Sequence, residues 1–303
     1  MRILLAVDGS DCSNRAVQLV STFQLPPDSS IRVVAVYRPY TDALSLSWAS
    51  MGGDASTNGE TEEEAETRIL REAVARAEAD LQQPGVRVEG FLLRGRPASA
   101  IVDEARAAGS DLVVVGSRGH GRIATMLLGS TASEVVDHAP CPVLVARRGR
   151  LDPVVFADDA SSSARHAEQV LTDWPLFSGL PVTVITVAEV AVPVAAGFTP
   201  GLYDQVLESY SRSADEAREE VRAEADNEAH RLSDAGHPAT PVPLEGDPAT
   251  EIVRYARDRQ VATIVMGTRG HTGLARLILG STARNVLLHA DCSVLVVREH
   301  GIP

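Results

Sequence analysis

The sequence predicts an α/β fold: two tandem, doubly wound domains, each a five-stranded parallel sheet with helices on both faces. Three observations lead there. Short apolar, β-rich runs alternate with helical stretches throughout, the pattern of a parallel sheet covered on both sides. One glycine-rich loop is written twice, as Gly116-Ser-Arg-Gly119, nine residues, then Gly129-Ser130-Thr131, and as Gly267-Thr-Arg-Gly270, nine residues, then Gly280-Ser281-Thr282. Segments 116–145 and 267–296 also share the Leu-Gly-Ser-Thr-Ala block, a His-Ala pair, a Cys and a Val-Leu-Val end, displaced by about 151 residues.

In the first half the strand-like runs are Arg2–Asp8, Ile31–Arg38, Val86–Leu93, Asp111–Gly116 and Val143–Arg147. In the second they are Val154–Asp158, Val182–Ala188, Pro238–Glu245, Ala262–Gly267 and Val294–Arg298. Between them lie helical stretches at Ser10–Phe23, Glu60–Gln82, Pro97–Ala108 and Ser130–His138, with counterparts at Ser161–Thr172, Tyr203–Ala235, Pro248–Arg259 and Ser281–His289. Pro97 and Pro248 suit a first helical turn, where the missing N–H has no partner to lose. The duplication places the domains at residues 1–148 and 152–300, joined near 150. Segments 41–58 and 190–201 read as irregular loops. The clusters Glu62-Glu63-Glu64 and Glu219-Glu220 read as solvated helix faces.

Each glycine loop follows an apolar run and precedes a helix start. Glycine lets an anion approach the main chain, and the first N–H groups of a helix point outward without internal partners. The loop therefore reads as a phosphate site. Ser130 and Ser281 offer hydroxyl donors, and a plain N-cap role is equally compatible with them.

The 303 residues carry a net charge of −13, which argues against nucleic acid and anionic membranes as partners. There is no lysine at all. That excludes a Walker A lysine, a Schiff-base lysine and a lysine general base, and leaves Arg118 and Arg269 as the loop cations. Cys12, Cys141 and Cys292 form no metal or disulfide pattern, and the latter two read as small buried apolar residues. Met1-Arg2 leads straight into a strand and no apolar run approaches about 20 residues, so a soluble cytoplasmic protein is expected.

In an open doubly wound sheet, ligands bind beyond the carboxyl ends of the strands where strand order reverses. Asp8 ends the first strand and Gly116 the fourth, so a carboxylate and a phosphate loop face one crevice; Asp158 and Gly267 are read as repeating that arrangement. The carboxylate suits nucleoside hydroxyl or amino groups, or else caps the next helix.

The Gly-x2-Gly-x9-Gly-[Ser/Thr] spacing, the Ala-Val-Asp-Gly-Ser opening and the Cys-Pro-Val-Leu-Val close resemble the universal stress proteins in their tandem two-domain form. The resemblance implies Rossmann-like domains of strand order 3-2-1-4-5 and, for the subgroup with this glycine spacing, ATP as ligand, with Mg²⁺ as a candidate companion. It places Asp8 and Val36 on the adenosine and Gly116, Gly119, Gly129, Ser130 and Thr131 around the phosphates. Asp158, Val187, Gly267, Gly270, Gly280, Ser281 and Thr282 match in the second half. Neighbouring Val115, Ser117 and Arg118, with Met266, Thr268 and Arg269, complete the candidate set. It also implies that the last strands pair the halves as a pseudo-dimer, with a homodimer by the same logic.

The symmetry is imperfect: Gly9-Ser10 is matched by Asp159-Ala160, and an added carboxylate near a polyphosphate costs affinity unless it faces solvent or holds Mg²⁺. The run Gly119-His-Gly121-Arg-Ile-Ala124 fits a dinucleotide fingerprint, but it follows the fourth strand and Thr272 breaks it in the second copy. His120 and His271 recur in the loops, while His138 and His289 suit helix C-termini. No residue set reads as catalytic. The expected function is an ATP-binding, nucleotide-dependent stress-response regulator; the alternatives are an interaction protein with vestigial sites and a slow ATP hydrolase.

Overall fold

The computed structural model describes residues 1–38, 62–119, 128–189, 200–268 and 279–298. Two compact units divide the chain, Met1–Arg150 and Leu151–Pro303.

The first unit runs β1 (Arg2–Ala6), α1 (Asp11–Ser21), β2 (Ser30–Tyr37), α2 (Glu62–Asp80), β3 (Arg87–Arg94), α3 (Pro97–Ala107), β4 (Leu112–Gly116), α4 (Ser130–His138) and β5 (Val143–Ala146). Its strands pair in parallel in the order β3-β2-β1-β4-β5. The second unit repeats this with β6 (Val154–Ala157), α5 (Ser162–Asp173), β7 (Val182–Ala188), α6 (Pro200–Asp234), β8 (Ala239–Glu245), α7 (Pro248–Asp258), β9 (Thr263–Gly267), α8 (Ser281–His289) and β10 (Ser293–Val297), in the order β8-β7-β6-β9-β10. A short 3-10 turn, Pro175–Phe177, follows α5. All ten strands lie where the apolar runs place them, with ends shifted by a residue or two.

The middle strands are buried on both faces. Ile3, Leu4 and Leu5 of β1 and Leu112 to Val115 of β4 are all buried, which is why these runs are continuously apolar rather than alternating. β8 is different: it carries Pro241 and Pro243, two residues apart, and pairs with β7. Proline has no N–H to give a ladder, so this spacing suits an edge strand whose open side needs no donor. Helices α1 and α2 cover one face of the first sheet, and α3 with α4 the other.

Helix α1 shows how local sequence sets these elements. Ser10 caps it by accepting the N–H of Ser13 at 3.2 Å, and Cys12, Ala16, Val17, Leu19 and Val20 form the buried stripe. Truncating Leu19 to Ala would cost about 2–5 kcal/mol of that packing. Ser161 caps α5 in the same way, accepting from Ala164 at 3.2 Å. Pro97 and Pro248 occupy the first helical turn, as expected. No helix among the described residues is long and apolar enough to cross a membrane.

The strand order reverses between β1 and β4. Ala6 opposes Val34 on one side and Val115 on the other, so the chain leaving β1 and the chain leaving β4 diverge around a crevice. Ala157 stands equivalently between Ile185 and Met266.

Candidate functional site

Each crevice opens into a cavity at the carboxyl ends of the strands. The first encloses about 400 Å³. One wall is apolar, built from Val34, Val36, Pro97 and Ile101; the other is the glycine loop and the start of α4. Asp8 lies at its edge with Arg38 and Arg118, so the described charged lining sums to one positive charge.

The start of α4 has no side-chain cap. Its N-cap is Gly129, in contrast to the serine caps of α1 and α5, and the N–H groups of Ser130, Thr131 and Ala132 are left for another acceptor. Helix α8 repeats this with Gly280 as N-cap. The serines themselves do not cap, since Ser130 and Ser281 are the first helical residues.

Four of the candidate loop residues are engaged by the protein itself. The Gly129 N–H is already taken by the Ser117 carbonyl at 2.8 Å, and the Gly280 N–H by Thr268 at 2.8 Å, so neither amide is open to a phosphate. Both glycines instead brace the loop. Gly116 lines the cavity, but its lack of a side chain serves α1: a Cβ there would lie 2.8–2.9 Å from the backbone of Cys12 and Ser13. Ser117 is buried with its hydroxyl on the Cys12 sulfur at 3.7 Å, away from the ligand space. A Cβ on Gly119 would meet Asp8 Oδ2 at 2.5 Å, so a side chain there would turn the Asp8 carboxylate aside.

The second cavity encloses about 570 Å³. Here the structure moves the predicted equivalence by one residue. Asp8 accepts the N–H of Ser10 at 3.0 Å, and Asp159, not Asp158, accepts that of the matching cap Ser161 at 3.1 Å. Asp158 instead occupies the place of Val7: their N–H groups donate to Val34 and Ile185, each at 2.9 Å. The turn residue between carboxylate and cap is Gly9 at φ 83° in one unit and Ala160 at φ 57° in the other.

Asp158 is 7% exposed, and Oδ2 has no hydrogen-bond partner among the described residues. Its Oδ1 accepts the Ala160 N–H at 2.9 Å. Burial, reinforced by Glu224 and Asp159, pushes this carboxyl up to about 6 against the pull of the Ala160 N–H and Arg231. Glu228 on α6 is 1% exposed and is pushed up to about 7 by burial, then by Asp158 and Glu168. Arg231 offsets the cluster, pairing with Glu228, with Glu168 at 3.2 Å and with Glu224 at 3.8 Å.

Asp159, Glu189, Glu220 and Glu224 join Asp158 in the lining of this cavity, and no arginine does among the described residues. Glu220 is thus not only a solvated face. Glu189 follows β7 where Arg38 follows β2, a reversal of charge at one position.

The sequence profile of the universal stress protein family matches twice, at residues 1–147 and 151–298. The chain belongs to the universal stress protein family. A universal stress protein of Mycobacterium tuberculosis is 31% identical over 242 residues, 77% of this chain and 76% of that protein. One from Mycolicibacterium smegmatis is 26% identical over 305 residues, covering 98% and 96%. A Thermus aquaticus relative is 37% identical over 145 residues, 48% of this chain and 97% of its own, so it has the size of one half. The crystal structure of a universal stress protein from Archaeoglobus fulgidus superposes with a TM-score of 0.64 at 20% identity, covering 99% of this chain and 98% of that one. That likeness shows the Rossmann-like fold.

Of the candidate residues in this universal stress protein, Asp8, Val36, Val115, Gly116, Arg118, Gly119, Gly129, Ser130 and Thr131 line the first cavity. Asp158, Val187, Met266, Gly267, Thr268, Gly280, Ser281 and Thr282 line the second. Arg269, Gly270, the loop histidines His120 and His271, the rest of the fingerprint-like run, and the loop segments 41–58 and 190–199 lie outside the described residues. Arg38, Pro97 and Ile101 of the first cavity, and Glu189, Glu220 and Glu224 of the second, were not singled out as site residues. Arg38 and Glu189 had a usable signal, since each directly follows a strand that ends at the crevice. The three cysteines are buried and form no disulfide, and burial raises the Cys141 thiol to about 12, consistent with packing rather than thiol chemistry.

Proposed function

We propose that this universal stress protein binds ATP in its first half and uses occupancy to bias conformation or partner choice in a stress response. The observation that carries this reading is the uncapped start of α4. Three consecutive first-turn amides, Ser130 to Ala132, border a cavity that also presents Arg118 and Arg38. A helix N-terminus of this kind favours a phosphate through its partial positive charge and its unpaired donors together. The apolar wall of Val34, Val36, Pro97 and Ile101 gives a base a dry surface, and Asp8 gives ribose or amino groups an acceptor.

The described residues hold no group of three or more His, Cys, Asp or Glu side chains arranged for a metal. In this reading Mg²⁺ arrives on the triphosphate and is held by its oxygens rather than by a protein cage. The described lining presents no paired nucleophile and base, and in this reading binding and release carry the signal.

The test has two arms. Denaturing the purified protein and weighing the released small molecules should show an adenine nucleotide. Calorimetric titration with ATP, with and without Mg²⁺, should show one saturable site per chain. No released nucleotide together with no ATP binding at millimolar concentration would end the proposal.

A further inference from the structure

Among the described residues the two cavity linings differ in sign: Asp8 with Arg38 and Arg118 in the first half, and Asp158, Asp159, Glu189, Glu220 and Glu224 in the second. A nucleoside triphosphate carries several negative charges of its own. Like charges repel, and they are only partly screened at a cavity mouth, so each added carboxylate weighs against it.

The cluster does not rest on acidity alone. Asp158 is more than nine-tenths buried, lines the cavity, and keeps one carboxylate oxygen without a partner among the described residues. A buried acceptor left unmatched is costly, and a donor supplied by a ligand removes that cost. The first half has apolar Val7 at the same place and no such acceptor. The other carboxylates of this lining come from three elements: Asp159 from the turn after β6, Glu189 from the end of β7, and Glu220 with Glu224 from α6.

We infer that the second cavity binds a small organic cation carrying several amino N–H donors, in place of a nucleoside triphosphate. An alkyl polyamine has the required chemistry: its ammonium groups can pair with the exposed carboxylates, one can donate to Asp158, and its methylenes can lie on Val187, Ile252 and Val221. The inference does not depend on what occupies the first cavity.

Spermidine is the probe, titrated calorimetrically into the full chain at 0.15 M NaCl, where loose attraction to a net charge of −13 is largely screened. The expected result is one saturable spermidine site per chain. Glu189→Arg, which installs the first half's charge at an exposed position, should weaken it at least tenfold, and Asp158→Asn should do likewise. Asp234→Asn, at the exposed end of α6 away from the cavity lining, should leave it unchanged. ATP stoichiometry should remain at one in all three variants.

Two ATP molecules bound per wild-type chain would overturn the inference. So would spermidine binding that does not saturate or that Glu189→Arg leaves intact. Absence of any ATP binding would sink the first-half proposal while leaving this one standing.

Discussion

Asp158 stands in the second half where Val7 stands in the first, each giving its N–H to the neighbouring strand at 2.9 Å. The exchange of an apolar side chain for a carboxylate is matched on α6, where Glu228 supplies a second buried carboxyl beside it. Both hold their protons to higher pH in the folded chain, to about 6 and about 7, than an ordinary carboxyl titrating near about 4. Between about pH 4 and pH 7 the folded state therefore binds more protons than the unfolded one, and their contribution to stability falls as pH rises. Below that window both states are protonated and the penalty vanishes; above it the penalty is complete. The double variant Asp158→Val, Glu228→Ala should melt higher than the wild type at pH 8, by several degrees, and equal to it or lower at pH 4. Melting curves of both proteins across pH 4–8 check this, and parallel curves would refute it. Arg231 keeps Glu168 and Glu224 as partners in the variant, so no charge is stranded.

Ser130 is the first helical residue of α4, and Gly129 before it has φ −71° and ψ 149°. That extended geometry is the one a following proline requires, and proline is welcome at the first helical position. Ser130→Pro should therefore preserve the helix while deleting one anion-facing amide. We expect ATP affinity to fall about tenfold or more with unchanged circular dichroism. Ser281→Pro, the same change in the second half, should leave ATP binding as it was.

Much of the architecture was legible because it rests on local rules. Continuous apolar runs at Leu112–Val115 and Ile264–Met266 mark strands buried on both faces, and the repeat places their partners. The glycine loops mark the crevice, since their spacing survives in both copies. What could not be read was register at the Asp8 turn. The sequence offers Asp158 and Asp159 side by side, and only the hydrogen bonds to Ser161 and Ile185 show which one takes the Asp8 role. The expectation took Asp158 because it directly follows the apolar run Val154–Ala157, as Asp8 follows Ile3–Val7; in the structure Ala160 takes the place of Gly9 at φ 57°, a left-handed turn that costs alanine about 1 kcal/mol. The acidic lining was hidden for another reason. Glu220 and Glu224 reach the cavity from a 35-residue helix whose charges look uniformly solvent-facing in sequence.

Gly116 illustrates a glycine whose motif suggests one role and whose packing imposes another. The carbonyl carbon and oxygen of Cys12 and the Ser13 nitrogen lie 2.8–2.9 Å from where its Cβ would be, and backbone atoms of a packed helix do not yield cheaply. Gly116→Ala should destabilise the chain by about 1–3 kcal/mol through displacement of α1. Any loss of ATP affinity should follow from that shift rather than from a blocked phosphate. Urea denaturation measured beside an ATP titration separates the two: full stability with lost binding would reassign Gly116 to the phosphate site.

Arg38 and Glu189 make the charge difference between the cavities testable from the nucleotide side. Arg38 is exposed at the end of β2, so its attraction to a bound triphosphate is partly screened and falls with salt. Arg38→Glu replaces attraction by repulsion without disturbing a buried contact. ATP affinity in the first half should drop about tenfold at low ionic strength and by less at 0.5 M NaCl, because only the screened part is being changed. A loss that persists undiminished at high salt would mean that Arg38 acts through shape, by closing the cavity rim, and not through its charge.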